Sequence, residues 1–183
     1  LNDAPVPLRD AFPVNEDSSD NVLNVKVDNG NGPDSDVEGD PLSVVGVTVP
    51  DQGGTATIND NGTAGDTTDD FIEYTPAPGF VGVEPFTSPI DAGNSETDSA
   101  KATATVTNLN DPPTAQDDAF TVNEDTTDNV LNVKVDNGSG PDTDPDGDPL
   151  SVTGVGVPDQ GGSASINDAG TPGDTTDDFI EYS

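Results

Sequence analysis

NVLNVKVDNG, residues Asn21–Gly30, returns letter for letter as Asn129–Gly138. Within it Leu23, Val25 and Val27 alternate with Asn24 and Lys26, the two-residue period of a strand with one buried face. The copies lie 108 residues apart and the register extends outward without a gap, so that Leu1–Thr75 and Leu109–Ser183 agree at 56 of 75 positions. Two domains joined head to tail follow, residues 1–108 and 109–183, the second lacking the equivalent of residues 76–108. A unit of about 100 residues is an ordinary domain, and one without its last third is expected to expose an apolar face and unpaired strand edges. Two explanations stay open: the chain is an excerpt of a longer polypeptide, or a neighbouring identical chain supplies the strands by β-strand addition.

The other apolar runs have the same short period. They are Phe12 with Val14, Leu42 with Val44, Val45 with Val47 and Val49, Ala56 with Ile58, Ile72 with Tyr74, Phe86 with Ile90, and Ala102 with Ala104 and Val106. The parity changes between Val44 and Val45, and Gly46 stands where a β-bulge would absorb the switch. With 20 Gly and 17 Pro, few windows of twelve residues could be helical. About seven strands per repeat predict an all-β, tandem Greek-key β-sandwich of cadherin or immunoglobulin type, its second domain incomplete.

Charge narrows the function. There are 37 Asp and Glu against 4 Lys and Arg, a formal net charge of -33, with no His and no Cys. Four scattered cations cannot form the basic face that nucleic acid or an anionic membrane surface requires. Without Cys or His there is no disulfide, no thiolate metal site and no neutral-pH imidazole base. No run approaches the ~18 apolar residues of a membrane span. Val, Leu, Ile and Phe make up only 38 of 183 residues, close to the composition of disordered acidic chains, so something must offset the charge if the chain folds.

The acids are densest in PDTDPDGDPLSV, Pro141–Val152, matched by PDSDVEGDPLSV, Pro33–Val44. Asp142, Asp144, Asp146 and Asp148 occupy alternate positions, as Asp34, Asp36, Glu38 and Asp40 do in the first copy. In a tight loop that spacing directs several carboxylates at one hard cation, and Ca²⁺ takes 6 to 8 oxygens from such loops. The opening D-x-D-x-D-G is that of an EF-hand, but Thr153 stands where its bidentate Glu belongs, which excludes an EF-hand proper. The competing reading is a set of solvated turns, for which Asp, Gly and Pro are equally suited.

The ordered series NDPP, DDAFTVNEDT, VLNV, DTDPDGDPLSVTGV, INDAGT and DDFIEY, with YTPAPGFVG and TATVTNLNDPP in the first copy, resembles the cadherin-like and immunoglobulin-like tandem repeats of very large bacterial surface adhesins. The resemblance covers essentially the whole chain. It implies extracellular β-sandwiches, secreted or at the cell surface, strung into a stalk that Ca²⁺ stiffens at the domain junctions. Carried over by position, Asn108, Asn110 and Asp111 resemble the ligating linker, and Asp144 with Asp146 the D-x-D pair of the following domain. Glu16 and Asp17, repeated as Glu124 and Asp125, match a first-strand acid, while Asp69 and Asp70 are further candidates that no motif fixes. Asn2 and Asp3 with Asp36 and Glu38 would form a half-site. The sequence departs from the family pattern at VEPFTSPIDAGN, where Pro85 and Pro89 lie inside the penultimate strand and predict an irregular or edge strand. The loop VDNGNGPDSD is longer than the usual turn, with Asn and Gly residues that either bind metal or bend the chain.

These observations predict a non-catalytic, Ca²⁺-stiffened spacer whose partners are adjacent repeats. The alternatives are a filament subunit completed by a neighbouring chain and a glycan-binding module, the latter poorly served by no Trp and two Tyr. Paired acids could serve glycoside hydrolysis, but they fall in duplicated turns with no companion cleft signal. Lys26 and Lys134 hold equivalent strand positions and read as charge-balancing residues.

Overall fold

The computed structural model describes residues 2–93 and 96–183, so Asn94, the last residue of the VEPFTSPIDAGN stretch, lies outside the described residues. The chain divides into two compact units, Leu1–Leu109 and Asn110–Ser183. Among the described residues every element is a strand. In unit 1 they are β1 (Asp10–Asn15), β2 (Asn21–Leu23), β3 (Ser43–Val44), β4 (Thr55–Asn59), β5 (Phe71–Thr75), β6 (Gly82–Asp91) and β7 (Thr97–Thr107). They form two sheets, β1-β7-β6-β3 and β2-β5-β4, packed as an all-β sandwich. First and last strands lie side by side and parallel, with Phe12 opposite Ala104 and Val14 opposite Val106.

The two-residue period dictates what the sheets enclose. Burial alternates strictly along β1, and along β6 and β7 the buried set is Glu84, Phe86, Ser88 and Ile90 facing Ala100, Ala102, Ala104 and Val106. Phe86 lies opposite Ala102, so a small residue accepts the bulk of a large one. Leu23, Val25, Val44, Ile72 and Tyr74 complete the core, and Tyr74 stacks on Phe86 across the sandwich at 6.1 Å between ring centroids.

Two local expectations are corrected, and a third, the bulge at Gly46, is met. The penultimate strand is neither irregular nor an edge: β6 runs ten residues between β7 and β3, paired with β7 along its whole length. Pro85 and Pro89 share the parity of Thr87, whose N–H and C=O point away from β7, towards Thr48. The missing proline donors therefore fall on that side, and the β7 ladder keeps its bonds. The run Leu23–Val27 is not one strand, since β2 ends at Leu23. Beyond it Asn24 accepts the Lys26 N–H and Asn29 donates to the carbonyls of Asn24 and Val27, so side chains replace the ladder and the chain turns. Val25 still reaches the core, whereas Val27 is exposed. After β3, Val45 and Thr48 donate to Pro89 and Thr87, three residues of advance against two on β6. That count is a β-bulge, and it falls at Gly46, where an added Cβ would stand 3.3 Å from the Pro89 ring.

A carboxylate is sealed between the sheets. Glu84 is fully buried, accepting the Tyr74 hydroxyl, the Gln52 N–H at 2.7 Å and the Gly54 N–H at 3.3 Å. Burial first, then the Glu84 carboxylate, holds the Tyr74 hydroxyl well above its ordinary pKa. Gly54 has no room for a side chain, because a Cβ would meet Glu84 Oε2 at 2.6 Å and the Thr75 carbonyl at 2.9 Å.

Unit 2 repeats the second sheet as β8 (Asn129–Leu131), β9 (Ala164–Asn167) and β10 (Phe179–Tyr182), in the order β8-β10-β9. The register is conserved between copies, Tyr182 facing Asn129 as Tyr74 faces Asn21. Phe120 is 36% exposed where its equivalent Phe12, covered by β7, is 8% exposed.

Replacing Glu84 with Ala strands the three donors it satisfies. Denaturant unfolding should show unit 1 destabilised by about 3 kcal/mol or more, and Gly54→Ala should also destabilise it. A change below about 1 kcal/mol in Glu84→Ala would mean that the node contributes little.

Candidate metal centre

A short acidic loop can converge only if something holds its carboxylates against their mutual repulsion. In Pro141–Val152 that is the backbone. Asp144 Oδ1 accepts the N–H groups of Asp146 and Asp148, each at 3.0 Å, while Gly147, at φ +77°, turns its N–H onto the Asp144 carbonyl at 3.1 Å. The result is one oxygen from each of Asp144, Asp146 and Asp148, all within 4.8 Å of one another. The linker joins the same loop: Asp111 donates its N–H to Asp146 Oδ2 at 2.6 Å, and Thr114 pairs with Thr143. Asn110 turns its amide onto the Asp111 carbonyl.

Unit 1 repeats the turn hydrogen bonds, although among the described residues three carboxylate oxygens come within 4.8 Å of one another in the unit 2 loop alone. Asp36 Oδ1 accepts the N–H groups of Glu38 at 2.9 Å and Asp40 at 3.1 Å, and Glu38 accepts the Asp3 N–H at 3.3 Å. Asp36 Oδ2 is buried with no hydrogen-bond partner. An orphaned carboxylate oxygen in an all-oxygen donor set fits a hard cation such as Ca²⁺, which takes carboxylates and carbonyls without geometric demand.

The structure separates the other candidates. Asp34 and Asp142 turn to the preceding segment instead, accepting the N–H of Leu8 and of Gln116, each at 2.7 Å. Glu16, 5% exposed, accepts the Leu109 N–H at 2.8 Å, which fastens the end of unit 1 to its first strand, while Glu124 is exposed. Asp17, in a left-handed turn at φ 52°, accepts the Gly79 N–H; Asp125 adopts the same conformation at φ 58°. Asn108 is exposed. Asp69 accepts Thr63 and Asn61 and braces its own loop. Asp70 and its equivalent Asp178 are buried, each with Oδ1 unpartnered. Lys26 and Lys134 donate to the carbonyls of Thr68 and Thr176 in those acidic loops, and burial lowers the Lys26 pKa against the pull of Asp70, Asp69 and Asp66.

Two acids were not singled out by spacing. Glu84 and Asp10 both stand on the buried parity of their strands, beside Phe86 and Phe12, and that parity was the available signal. The long loop after Val27 bends rather than exposing ligands: Asp28 accepts the N–H groups of Gly30 and Gly32, and Asn31 donates to the Arg9 carbonyl. Those glycine amides hold the Asp28 carboxyl below its usual range, and Gly138 with Gly140 do the same for Asp136.

Residues 2–107 and 110–180 each match the family model of the bacterial Ig domain, and the chain belongs to that family. No curated protein matches it. Among solved structures it is similar to an endo-fucoidan hydrolase of glycoside hydrolase family 107, at 15% identity and a TM-score of 0.43 over 98% of this chain and 24% of that one. It is also similar to repeats EC1-3 of protocadherin gamma C5, at 14% identity and a TM-score of 0.43 over 98% of this chain and 56% of that one. The chain therefore spans about a quarter of the first and about half of the second, and likeness at this level bears on neither catalysis nor ligands.

Burial first, and the nearby Asp34 charge, push the Asp10 carboxyl up from 3.8 to about 6, against the Asn29 hydrogen bond. A raised folded-state value favours the fold below the unfolded pKa, and that contribution is lost as pH climbs through about 6. In chelator Asp10→Asn should match the parent near pH 4 and exceed it near pH 8, by up to about 3 kcal/mol, read by urea unfolding at both pH values. Equal offsets at both would refute the assignment.

Proposed function

We propose that this chain is a non-catalytic structural stretch of an extracellular bacterial protein, a spacer in which Ca²⁺ stiffens the passage from one repeat to the next. The linker geometry carries the reading. Glu16 fastens Leu109 to unit 1, and Asp146 fastens Asp111 to unit 2, so one residue, Asn110, separates the two fastenings. A cation on Asp144, Asp146 and Asp148 would fix the carboxylate that grips Asp111, whereas without it three like charges within 4.8 Å oppose that geometry. Membership of the bacterial Ig family supports a repeat of a surface protein, and the -33 charge suits a calcium-rich exterior. No helix among the described residues is long and apolar enough to cross a membrane.

A site of ~0.1 mM affinity in ~10 mM Ca²⁺ would add about 2.7 kcal/mol, a large share of a typical domain stability of ~5 to 15 kcal/mol. Thermal unfolding and small-angle scattering of the chain, with Ca²⁺ and with chelator, test the reading together. Ca²⁺ should raise the melting temperature and lengthen the particle. Asp144→Ala with Asp146→Ala should remain in the chelated behaviour when Ca²⁺ is present. Identical melting and dimensions in both media would end the calcium mechanism.

A further inference from the structure

We propose that unit 1 holds a second, intradomain cation site, in which Asp10 and Asp34 bind Ca²⁺ at the seam between the start of β1 and the loop that precedes Asp36. The seam is built by hydrogen bonds that draw residues 6–10 along residues 29–35. Val6 and Ser35 exchange backbone bonds at 2.7 and 3.3 Å, the Leu8 N–H meets Asp34 Oδ1, Asn31 donates to the Arg9 carbonyl, and Asn29 donates to Asp10 Oδ1 at 3.2 Å. That course brings two carboxylates from separate segments into one place.

Both are more than nine-tenths buried, Asp10 at 4% exposure and Asp34 at 9%. Asp10 Oδ2 is sealed from solvent without a hydrogen-bond partner, although its Oδ1 is satisfied. The hydrogen bonds to the pair come from amides, and among the described residues Arg9 gives none to either. The Asp34 charge acts on Asp10 across the seam, and two buried acids on paired segments oppose each other's ionisation unless a counter-ion is present; either one keeps its proton or a cation sits between them. An orphaned oxygen beside a second carboxylate is a hard-cation donor set, whose remaining ligands would be carbonyls and water.

The seam recurs in the other copy, where Asn137 donates to Asp118 Oδ1 at 3.0 Å and Gln116 to Asp142 Oδ1 at 2.7 Å. There the carboxylates are more exposed, and the counterpart is the weaker site. The Asp10 site does not depend on the linker reading: it uses neither Asp144 nor Asp146, and Asp34 is directed to Leu8 rather than into the Asp36 loop.

The test is Ca²⁺ titration of the decalcified chain at pH 7.5 by calorimetry. Asp10→Asn, which keeps the shape and the Asn29 bond, should bind one Ca²⁺ per chain fewer than the parent, and Asp34→Asn should do the same. Asp144→Ala with Asp146→Ala should retain the Asp10 site, so failure of the linker reading and failure of this one give different results. The parent chain supplies a readout that needs no substitution: Ca²⁺ should shift the Asp10 and Asp34 carboxyl ¹³C resonances together. Unchanged stoichiometry in Asp10→Asn, or carboxyl resonances that answer to pH and not to Ca²⁺, would assign the seam to a shared proton and overturn the proposal.

Discussion

A chain with 37 acids and 4 basic residues must neutralise carboxylates with something other than lysine and arginine, and here that is the backbone amide. Asp28, Asp36 and Asp144 each accept two N–H groups from the turn that follows, Asp34 and Glu16 accept one from a distant segment, and Glu84 accepts two inside the core. Such bonds favour the charged carboxylate and at the same time set the path of the chain. The abundance of glycine follows from the same constraint. A turn that aims two alternate amides at one carboxylate needs left-handed backbone, and Gly30 and Gly32, at φ +116° and +100°, provide it after Asp28. Acidity and turn chemistry are thus one design, repeated 108 residues apart.

The sheets are held by a different balance. Tyr74 and Glu84 come from opposite sheets, and their hydrogen bond, with the stacking of Tyr74 on Phe86, joins the two layers at one place. A buried carboxyl group is costly unless its oxygens are hydrogen-bonded, and Glu84 draws on a hydroxyl and two amides to meet that requirement. Gly54 is tied to the same point, since its lack of a side chain admits the carboxylate. The specificity of the sandwich therefore rests on a polar contact set within a modest apolar core.

Much of this was legible from residue spacing. The repeat follows from the match of the chain with itself 108 residues on, the all-β class and the seven strands of unit 1 from the two-residue period, and the bulge at Gly46 from one change of parity. What period could not show was where side chains displace the ladder. Asn24 and Asn29 end β2 early although Val25 and Val27 continue the pattern, because hydrogen bonding by Asn side chains is invisible to hydrophobic alternation. Pro85 and Pro89 misled in the opposite direction: a proline harms only the side of a strand to which its nitrogen points, and that side follows from neighbours in space. The acidic loop was found from its alternate aspartates, but its division, with Asp34 turning to Leu8 and Asp36 staying with its own loop, depends on which distant amide each carboxylate meets.

The parallel pairing of β1 with β7 has a mechanical meaning. Chain enters unit 1 at the start of β1 and leaves at the end of β7, and six residue pairs in register join the two. Tension applied at the two ends drags these strands past one another in opposite directions, loading the pairs in shear and together, rather than peeling them apart one at a time. The sheet edge that closes the fold is also the element that would resist extension.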